Sequence, residues 1–350
     1  MQNVIQPLSR HQEQQQNLFH QQIHFDAEGI PFFITFQCKP FSCCKMFVVD
    51  SFPLGNDAVS NTTTADGNVF VLSEDGNQLS LLRVPNDKNR TFSGPHRFLD
   101  PSFYVDCAAV SQDQQSIFCA SGRTLRQFNI ATARLVQTLA TGLGESKITC
   151  LATSFDNNSV FTGHRYSVIQ QWSVQTANLL QTFYLDGDND HDAVDCIFVS
   201  RNCKYLFATS CNECDLYRIC VNTGQAINTF GSFERTQSNM VESIDGLHIF
   251  VGDCNTIVRQ LCVETGSLTR TLNDFSAASW CDFHDRNDTV SLAICSSGRF
   301  LWSGSMDGTI RQWNLDTGDV VVRIKVGDKP LWSLTRVADR GVLALQDDAV

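Results

Sequence analysis

Charge is scarce in this sequence, and basic charge scarcest. Lysine and arginine number 26 against 37 aspartates and glutamates; only 18% of residues are charged, and the formal net charge is −11. Binding along a phosphate backbone needs lysine and arginine gathered on one face, so nucleic acid is excluded as the main ligand. No apolar run reaches the ~20 residues of a membrane-spanning helix, and no membrane role is expected. The N-terminus has neither an apolar core nor a small-residue cleavage pattern, so no secretory signal is expected. Catalytic signatures are missing as well. There is no Gly-x-Ser-x-Gly elbow and no His-Glu-x-x-His. Gly142-Leu143-Gly144-Glu145-Ser146-Lys147 echoes a phosphate loop, but its spacing is wrong and it reads as a turn. The histidines are scattered. His11, His20 and His24 fall near the N-terminus, and His164 reads as a satisfied turn histidine rather than a ligand.

Cysteine, by contrast, is plentiful: 15 residues. Without a secretory signal this points to a reducing compartment, the cytoplasm with the nucleus as the alternative. The sequons at Asn61 and Asn287 are then chance matches. Cys107, Cys150, Cys196 and Cys295 recur at one position of a repeated segment and suit small buried apolar sites. Cys211-Asn212-Glu213-Cys214 is the one Cys-x-x-Cys. A structural zinc site usually takes two such pairs, so this one reads as packing or an exposed turn, with metal or redox chemistry as the alternative. Cys38, Cys43 and Cys44 form a looser cluster read the same way. Residues 1–27 are rich in glutamine (Gln2, Gln6, Gln12, Gln14, Gln15, Gln16, Gln21, Gln22) and lack a hydrophobic face, which predicts a disordered tail.

The remainder repeats. Arg126-Gln127-Phe128-Asn129-Ile130, Gln170-Gln171-Trp172-Ser173-Val174, Tyr217-Arg218-Ile219-Cys220-Val221, Arg259-Gln260-Leu261-Cys262-Val263 and Arg311-Gln312-Trp313-Asn314-Leu315 share one pattern, with Leu82-Arg83-Val84 an earlier member. Its period-two alternation is that of a strand with one buried face. A turn follows each, as in Asn222-Thr223-Gly224 and Asp316-Thr317-Gly318, and a short strand follows the turn. Upstream of each lies an inner strand rich in small residues, such as Val105–Ser111, Ile148–Ser154, Val194–Ser200 and Val290–Ser296. A polar turn then leads to a second apolar strand. Anchors at Leu82, Phe128, Trp172, Ile219, Leu261 and Trp313 recur at roughly 42–52 residues, the period of a propeller blade. Four short strands per repeat predict four-stranded antiparallel sheets that must stack to hide both faces.

Residues 290–324 resemble a blade of the WD-repeat (WD40) family. Asp307 lies in the tight turn, Trp313 at the structural tryptophan and Ser303 on the second strand. The resemblance extends more faintly over about 57–350. It implies a seven-bladed β-propeller in which these side chains hydrogen-bond, with a histidine from the loop before the blade. No repeat carries the Gly-His dipeptide at the expected place, none ends in Trp-Asp, and Asp307 is replaced by Asn255, Glu213 and Tyr166 in other repeats. The last repeat supplies only two strands, at Leu331–Leu334 and Val342–Leu345, which would leave an open sheet edge. Strands within 28–56, at Phe32–Phe36 and Lys45–Val49, are expected to close it.

Two loops stand out as partner-binding candidates. Both join an outer strand to the next inner strand, on the face where the family usually docks partners. Residues 273–289 carry Trp280, Phe283, His284, Asp285 and Asp288, aromatics ringed by carboxylates that fit a basic or amphipathic peptide. Packing of Trp280 beneath its own loop is the alternative. Residues 186–192 carry Asp186, Asp188 and Asp190 at calcium-loop spacing. His191 in place of glycine and Ile197 in place of glutamate make it a solvated acidic loop instead. Ser303, Asp307, Trp313, Trp172 and Phe128 read as structural. The expected function is a non-catalytic scaffold or adaptor that binds protein or peptide partners, needs no cofactor, and has a propeller monomeric in itself. The alternatives are an architectural subunit of a large assembly and, less favoured, a propeller enzyme. Positions where a propeller active site would converge hold Cys254, Met306, Asn212 and Arg165, which share no chemistry.

Overall fold

The computed structural model describes residues 104–140, 146–185, 193–210, 215–230, 240–253, 256–274, 289–295 and 297–326. It also describes the strands at 19–25, 31–38, 45–49, 58–63, 68–73, 79–83, 93–97, 331–337 and 341–346. Among these residues there is no helix; every regular element is a strand.

Three strands come first: β1 (Phe19–Phe25), β2 (Pro31–Cys38) and β3 (Lys45–Val49). Sheet 1 follows, with β4 (Ala58–Thr63), β5 (Asn68–Ser73), β6 (Leu79–Arg83) and β7 (Ser93–Arg97). Sheet 2 holds β8 (Cys107–Val110), β9 (Ser116–Ser121), β10 (Thr124–Asn129) and β11 (Leu135–Ala140). Sheet 3 holds β12 (Ile148–Thr153), β13 (Ser159–His164), β14 (Val168–Ser173) and β15 (Leu179–Tyr184). Sheet 4 holds β16 (Val194–Val199), β17 (Tyr205–Ser210), β18 (Leu216–Cys220) and β19 (Ala226–Phe230). Sheet 5 holds β20 (Met240–Glu242), β21 (His248–Gly252), β22 (Val258–Cys262) and β23 (Leu268–Leu272). Sheet 6 holds β24 (Thr289–Ile294), β25 (Phe300–Ser305), β26 (Thr309–Asn314) and β27 (Val320–Lys325), before β28 (Leu331–Val337) and β29 (Gly341–Gln346).

Each numbered sheet is an antiparallel meander in chain order. The first strand of each lies beside the first strand of the next: β4 by β8, then β12, β16, β20, β24 and β28, which returns to β4. That closed cycle makes the fold a β-propeller, with inner strands toward the axis and outer strands on the circumference. A meander puts its first and third turns on one face of the ring, here called the turn face. The second turn and the connection to the next sheet lie on the other, the loop face.

The closing sheet takes strands from both chain ends, in the order β1-β2-β3-β29-β28. β3 pairs in parallel with β29, Lys45 opposite Gly341 through Val49 opposite Leu345. The expected closing strands are therefore both present. A fifth strand accompanies them. Phe19–Phe25, inside the stretch expected to be disordered, pairs antiparallel with β2. Phe19, Ile23 and Phe25 alternate with His20, Gln22 and His24, a period-two pattern that the glutamine count obscured.

Apolar cores lie between sheets. Phe118, Leu125 and Leu139 of sheet 2 pack with Val160 and Trp172 of sheet 3. Phe161 and Phe183 of sheet 3 pack with Leu206 and Tyr217 of sheet 4. Phe207 meets Ile249 and Leu261; Phe250 meets Leu301 and Trp313; Trp302 meets Leu331 and Leu334. An aromatic thus recurs at the third position of each second strand: Phe118, Phe161, Phe207, Phe250 and Trp302, all buried. Truncating such a residue to alanine typically costs about 3–5 kcal/mol.

Polar clasps reinforce the stacking on the turn face. Gln137 on β11 donates to the Val174 carbonyl at 2.6 Å, and Arg270 on β23 to the Leu315 carbonyl at 2.9 Å. Gln181 on β15, its amide nitrogen turned toward the next sheet, donates to the Val221 carbonyl at 3.2 Å. Each reaches from an outer strand to the third turn of the following sheet. The first turns share another device. Ser111, Ser154 and Ser243 each donate at 2.5 Å to a carboxylate two residues on (Asp113, Asp156, Asp245), and Ser200 donates to Asn202 at 2.7 Å. The same hydroxyls accept from the backbone five residues on.

Two expected outcomes test this architecture. Removing residues 28–50 strips β2 and β3 from the closing sheet and exposes the β29 edge; the melting temperature should drop by several degrees, and an unchanged melt would refute ring closure. The third turns place Ala133 at φ 53° and Gly318 at φ 86°. The left-handed region penalises a Cβ, so exposed Ala133→Gly should stabilise by about 0.5–1 kcal/mol in denaturant titration. Gly318→Ala should destabilise by at least ~1 kcal/mol, because its Cβ would also meet Arg270 Cδ at 3.2 Å.

Candidate functional site

The loop face gathers the connections between sheets, and its described part is built on buried polar clusters. In sheet 6 the indole nitrogen of Trp313, fully buried, donates to Ser303 Oγ at 2.9 Å. Asp307 caps its turn by accepting from the Thr309 backbone at 2.8 Å, and it accepts from Arg311 Nη2 at 3.0 Å. Arg311 Nε also donates to Asp274 at 3.1 Å, while Arg323 donates to both Asp274 oxygens at 2.6 and 2.5 Å. Asp274 and Arg311 are buried, so removing either would strip the other of one of its charged partners in a site away from water.

Sheet 3 repeats the tryptophan motif with a substitution. Trp172 donates to Thr162 Oγ1 at 3.1 Å, and that hydroxyl lies 2.8 Å from His164 Nε2. Burial pushes the His164 pKa down to about 4, which keeps the ring neutral. The histidine that the resemblance places in the preceding loop is supplied here from the end of the second strand. Phe128, the equivalent of both tryptophans, is buried without a polar handle.

The first residue of the repeated third-strand pattern, Arg126, Gln170, Tyr217, Arg259 and Arg311, was not singled out in the sequence. Arg259 pairs with Asp253 at 2.8 Å, so in sheet 5 the carboxylate sits two residues before Asn255, the positional match of Asp307. Sheet 2 uses a different pair: Lys147 meets Asp106 at 2.6 Å, and Asp106 also accepts from the Gly122 backbone at 2.6 Å. Arginine recurring at one register position was the available signal. Its acidic partners are non-local and carry no pattern.

Trp280, Phe283, His284, Asp285 and Asp288 lie in 275–288, and Asp186, Asp188 and Asp190 in 186–192, outside the described residues. So do Cys211, Asn212, Glu213, Cys214, Cys43, Cys44, Cys254, Asn255 and the phosphate-loop echo up to Glu145. The bases of both candidate loops are described. Asp274, clamped by two arginines, ends immediately before the first, and buried Leu185 immediately before the second. Both loops therefore leave the ring on the loop face from fixed points.

The circumference offers a different surface. Leu135 and Val136 on β11, Leu179, Leu180 and Tyr184 on β15, and Ile227 on β19 are exposed. None of these three outer strands contains a charged residue, whereas β7 carries Pro95 and Arg97, β23 Arg270, and β27 Arg323 and Lys325. Proline and charge are the usual protection of an exposed strand edge. Among the described residues no cluster of His, Cys, Asp and Glu could hold a metal ion. Among the described residues no helix is long and apolar enough to cross a membrane.

A closed ring of short-stranded sheets, with the connections between sheets on one face and polar clusters at their bases, defines a β-propeller repeat protein. The WD40 family model (WD domain, G-beta repeat) matches residues 279–314, which span Trp280, Ser303, Asp307 and Trp313. Autophagy-related protein 16 of Arabidopsis thaliana is 24% identical over 245 residues, covering 60% of this chain and 47% of that protein. The chain thus spans about half the length of that relative. Over residues 279–314 the chain is therefore similar to the WD40 repeat, in the sheet where Trp313 and Ser303 bond to each other.

On the turn face, one carboxylate is set against its solvent. Glu242, buried at the end of β20, accepts from the Arg201 backbone at 3.1 and 3.0 Å and pairs with its guanidinium at 3.3 Å. Arg201 in turn stacks on Phe155, 5.2 Å from the ring centre, so three sheets are linked. Burial outweighs Arg201 and pushes the Glu242 pKa up from 4.5 to about 7. The native state then holds a proton that the unfolded chain has released. This contribution to stability is complete below about pH 4.5 and is lost as pH rises through 7. Glu242→Gln should flatten the pH dependence of the denaturation midpoint between pH 5 and 8, by on the order of 1 kcal/mol. An unchanged slope would contradict the assignment.

Proposed function

We propose that this protein is a non-catalytic adaptor that holds protein partners on the loop face and circumference of a rigid ring. The observation that carries the reading is the run of exposed apolar residues on uncharged outer strands β11, β15 and β19, beside other edges that are protected. Surface of this kind on a soluble repeat domain is a docking surface. The loop of Trp280, Phe283, His284 and Asp285, with the acidic loop of Asp186, Asp188 and Asp190, forms a second surface suited to a basic or amphipathic segment. No cofactor takes part.

The name of the Arabidopsis relative directs the search for partners to autophagy-related assemblies. A reducing compartment, the cytoplasm with the nucleus as alternative, is supported by eight described cysteines that are all free thiols. The propeller spans 57–350, is closed by strands from 28–56, and acts as a single copy.

Affinity purification with mass spectrometry tests the reading. Trp280→Ala with Phe283→Ala should remove one set of partners, and Leu180→Lys with Tyr184→Lys another. A partner list that survives both double variants, each still melting like the parent, would overturn the proposed surfaces.

A further inference from the structure

We propose that the outer edge of β15 is a strand-addition site, which takes an extended, uncharged segment of a protein partner as a fifth strand of sheet 3. The inference rests on the reading of the circumference as a docking surface, and gives that surface a mode of binding and a class of ligand.

The backbone defines the site. β15 ends its sheet, in the order β12-β13-β14-β15, and among the described residues β14 is its one partner strand. The register sets Gln181 opposite Gln171 and Phe183 opposite Ile169. One rung beyond the pair of Tyr184 and Val168, the Leu185 N–H donates to the Ser167 carbonyl at 2.9 Å. Hydrogen-bonded and non-hydrogen-bonded pairs alternate in an antiparallel ladder. Gln181, Phe183 and Leu185 therefore point their backbone groups at β14, and Thr182 and Tyr184 point theirs away from it. Two N–H donors and two carbonyl acceptors face outward at the spacing of a ladder. An α-helix has no free backbone groups along its length to meet them, whereas an extended chain has.

The edge is held in place before a partner arrives. Phe183 is buried with Leu206 and Tyr217 of sheet 4, and its ring centre lies 6.2 Å from that of Phe161. The Gln181 amide donates to the Val221 carbonyl and accepts from the Gly224 N–H, both at 3.2 Å. Side chains alternate across a strand, so Thr182 and Tyr184 lie on the opposite face, where Tyr184 is 66% exposed. With the edge already ordered, the entropy of ordering falls on the added segment alone.

Side chains select the ligand. Each outer strand from β11 to β27 begins with a register shift, and the residues after it decide whether its edge can be extended. The positions of Thr182 and Tyr184 are held in β27 by Arg323 and Lys325, the kind of charge that protects an edge. In β15 they are two strand-forming residues, preceded by exposed Leu179 and Leu180. β15 contains no charge and no proline, so a charged side chain on the added strand would find no counter-charge along it. The fitting ligand is a run of aliphatic, aromatic and threonine residues.

The test uses the full chain and a fluorescein-labelled peptide that alternates valine and threonine, with a lysine at each end for solubility. Binding is read by anisotropy, and amide hydrogen exchange by residue-resolved mass spectrometry. At saturation the Thr182 and Tyr184 amides should exchange at least ~10-fold more slowly, while those of Arg323 and Lys325 are unchanged. Thr182→Pro removes an outward N–H that β14 does not use; it should weaken binding at least ~10-fold without lowering the melting temperature, and Thr182→Val should bind like the parent. Absence of saturable binding, or unslowed Thr182 and Tyr184 amides in the bound parent chain, would overturn the proposal. Slow exchange of these amides without peptide, in a chain that sediments as a dimer, would assign the edge to a second copy and overturn it too. Loss of cellular partners in Leu180→Lys with Tyr184→Lys but not in Thr182→Pro would overturn strand addition alone and leave the circumference as a docking surface.

Discussion

Each sheet of this protein has two apolar faces and can hide neither alone. Phe118 needs Trp172, Phe161 needs Leu206, Phe207 needs Ile249, Phe250 needs Trp313, and Trp302 needs Leu334. Each core is half of one sheet and half of the next, so stability propagates around the circle and cannot be assigned to one repeat. Closure matters for the same reason. An open ring would leave one such half-core in water, and the chain avoids this by bringing β3 beside β29 from its opposite end.

The polar structure serves this stacking at different radii. Near the axis, Thr149 donates to the Val194 carbonyl at 2.5 Å and Thr153 to the Val110 carbonyl at 2.9 Å. Farther out, Gln137, Gln181 and Arg270 clasp the next sheet's turn. On the loop face, arginine–aspartate pairs fix the strand ends at which connections between sheets begin. A rigid ring with fixed connection bases can vary its loops without losing its cores.

Legibility followed the range of the interaction. The third strands announced themselves because apolar alternation and the following turn are both local, and Trp313 with Ser303 bonds as the resemblance implied. Of the cysteines read as small buried residues, Cys295 is buried and Cys107, Cys150 and Cys196 are half-buried. Less was visible where partners are distant in sequence. Asp274 lies 37 residues from Arg311 and 49 from Arg323, and Glu242 lies 41 from Arg201. β1 was hidden differently: a composition rich in glutamine masked its alternation. His164 looked like an isolated turn residue because its bond to Thr162 depends on which strand face the two share with Trp172.

Read alone, the sequence determined that this is a repeated four-stranded unit of propeller length, poor in basic charge and built on strands with one period. Those properties follow from side-chain alternation and turn chemistry, which act within a few residues. Tertiary structure decided which sheets share a core, how the two chain ends meet, and which acid each buried arginine finds. These depend on bringing segments forty or more residues apart into contact, where burial and charge pairing, rather than local preference, set the energy.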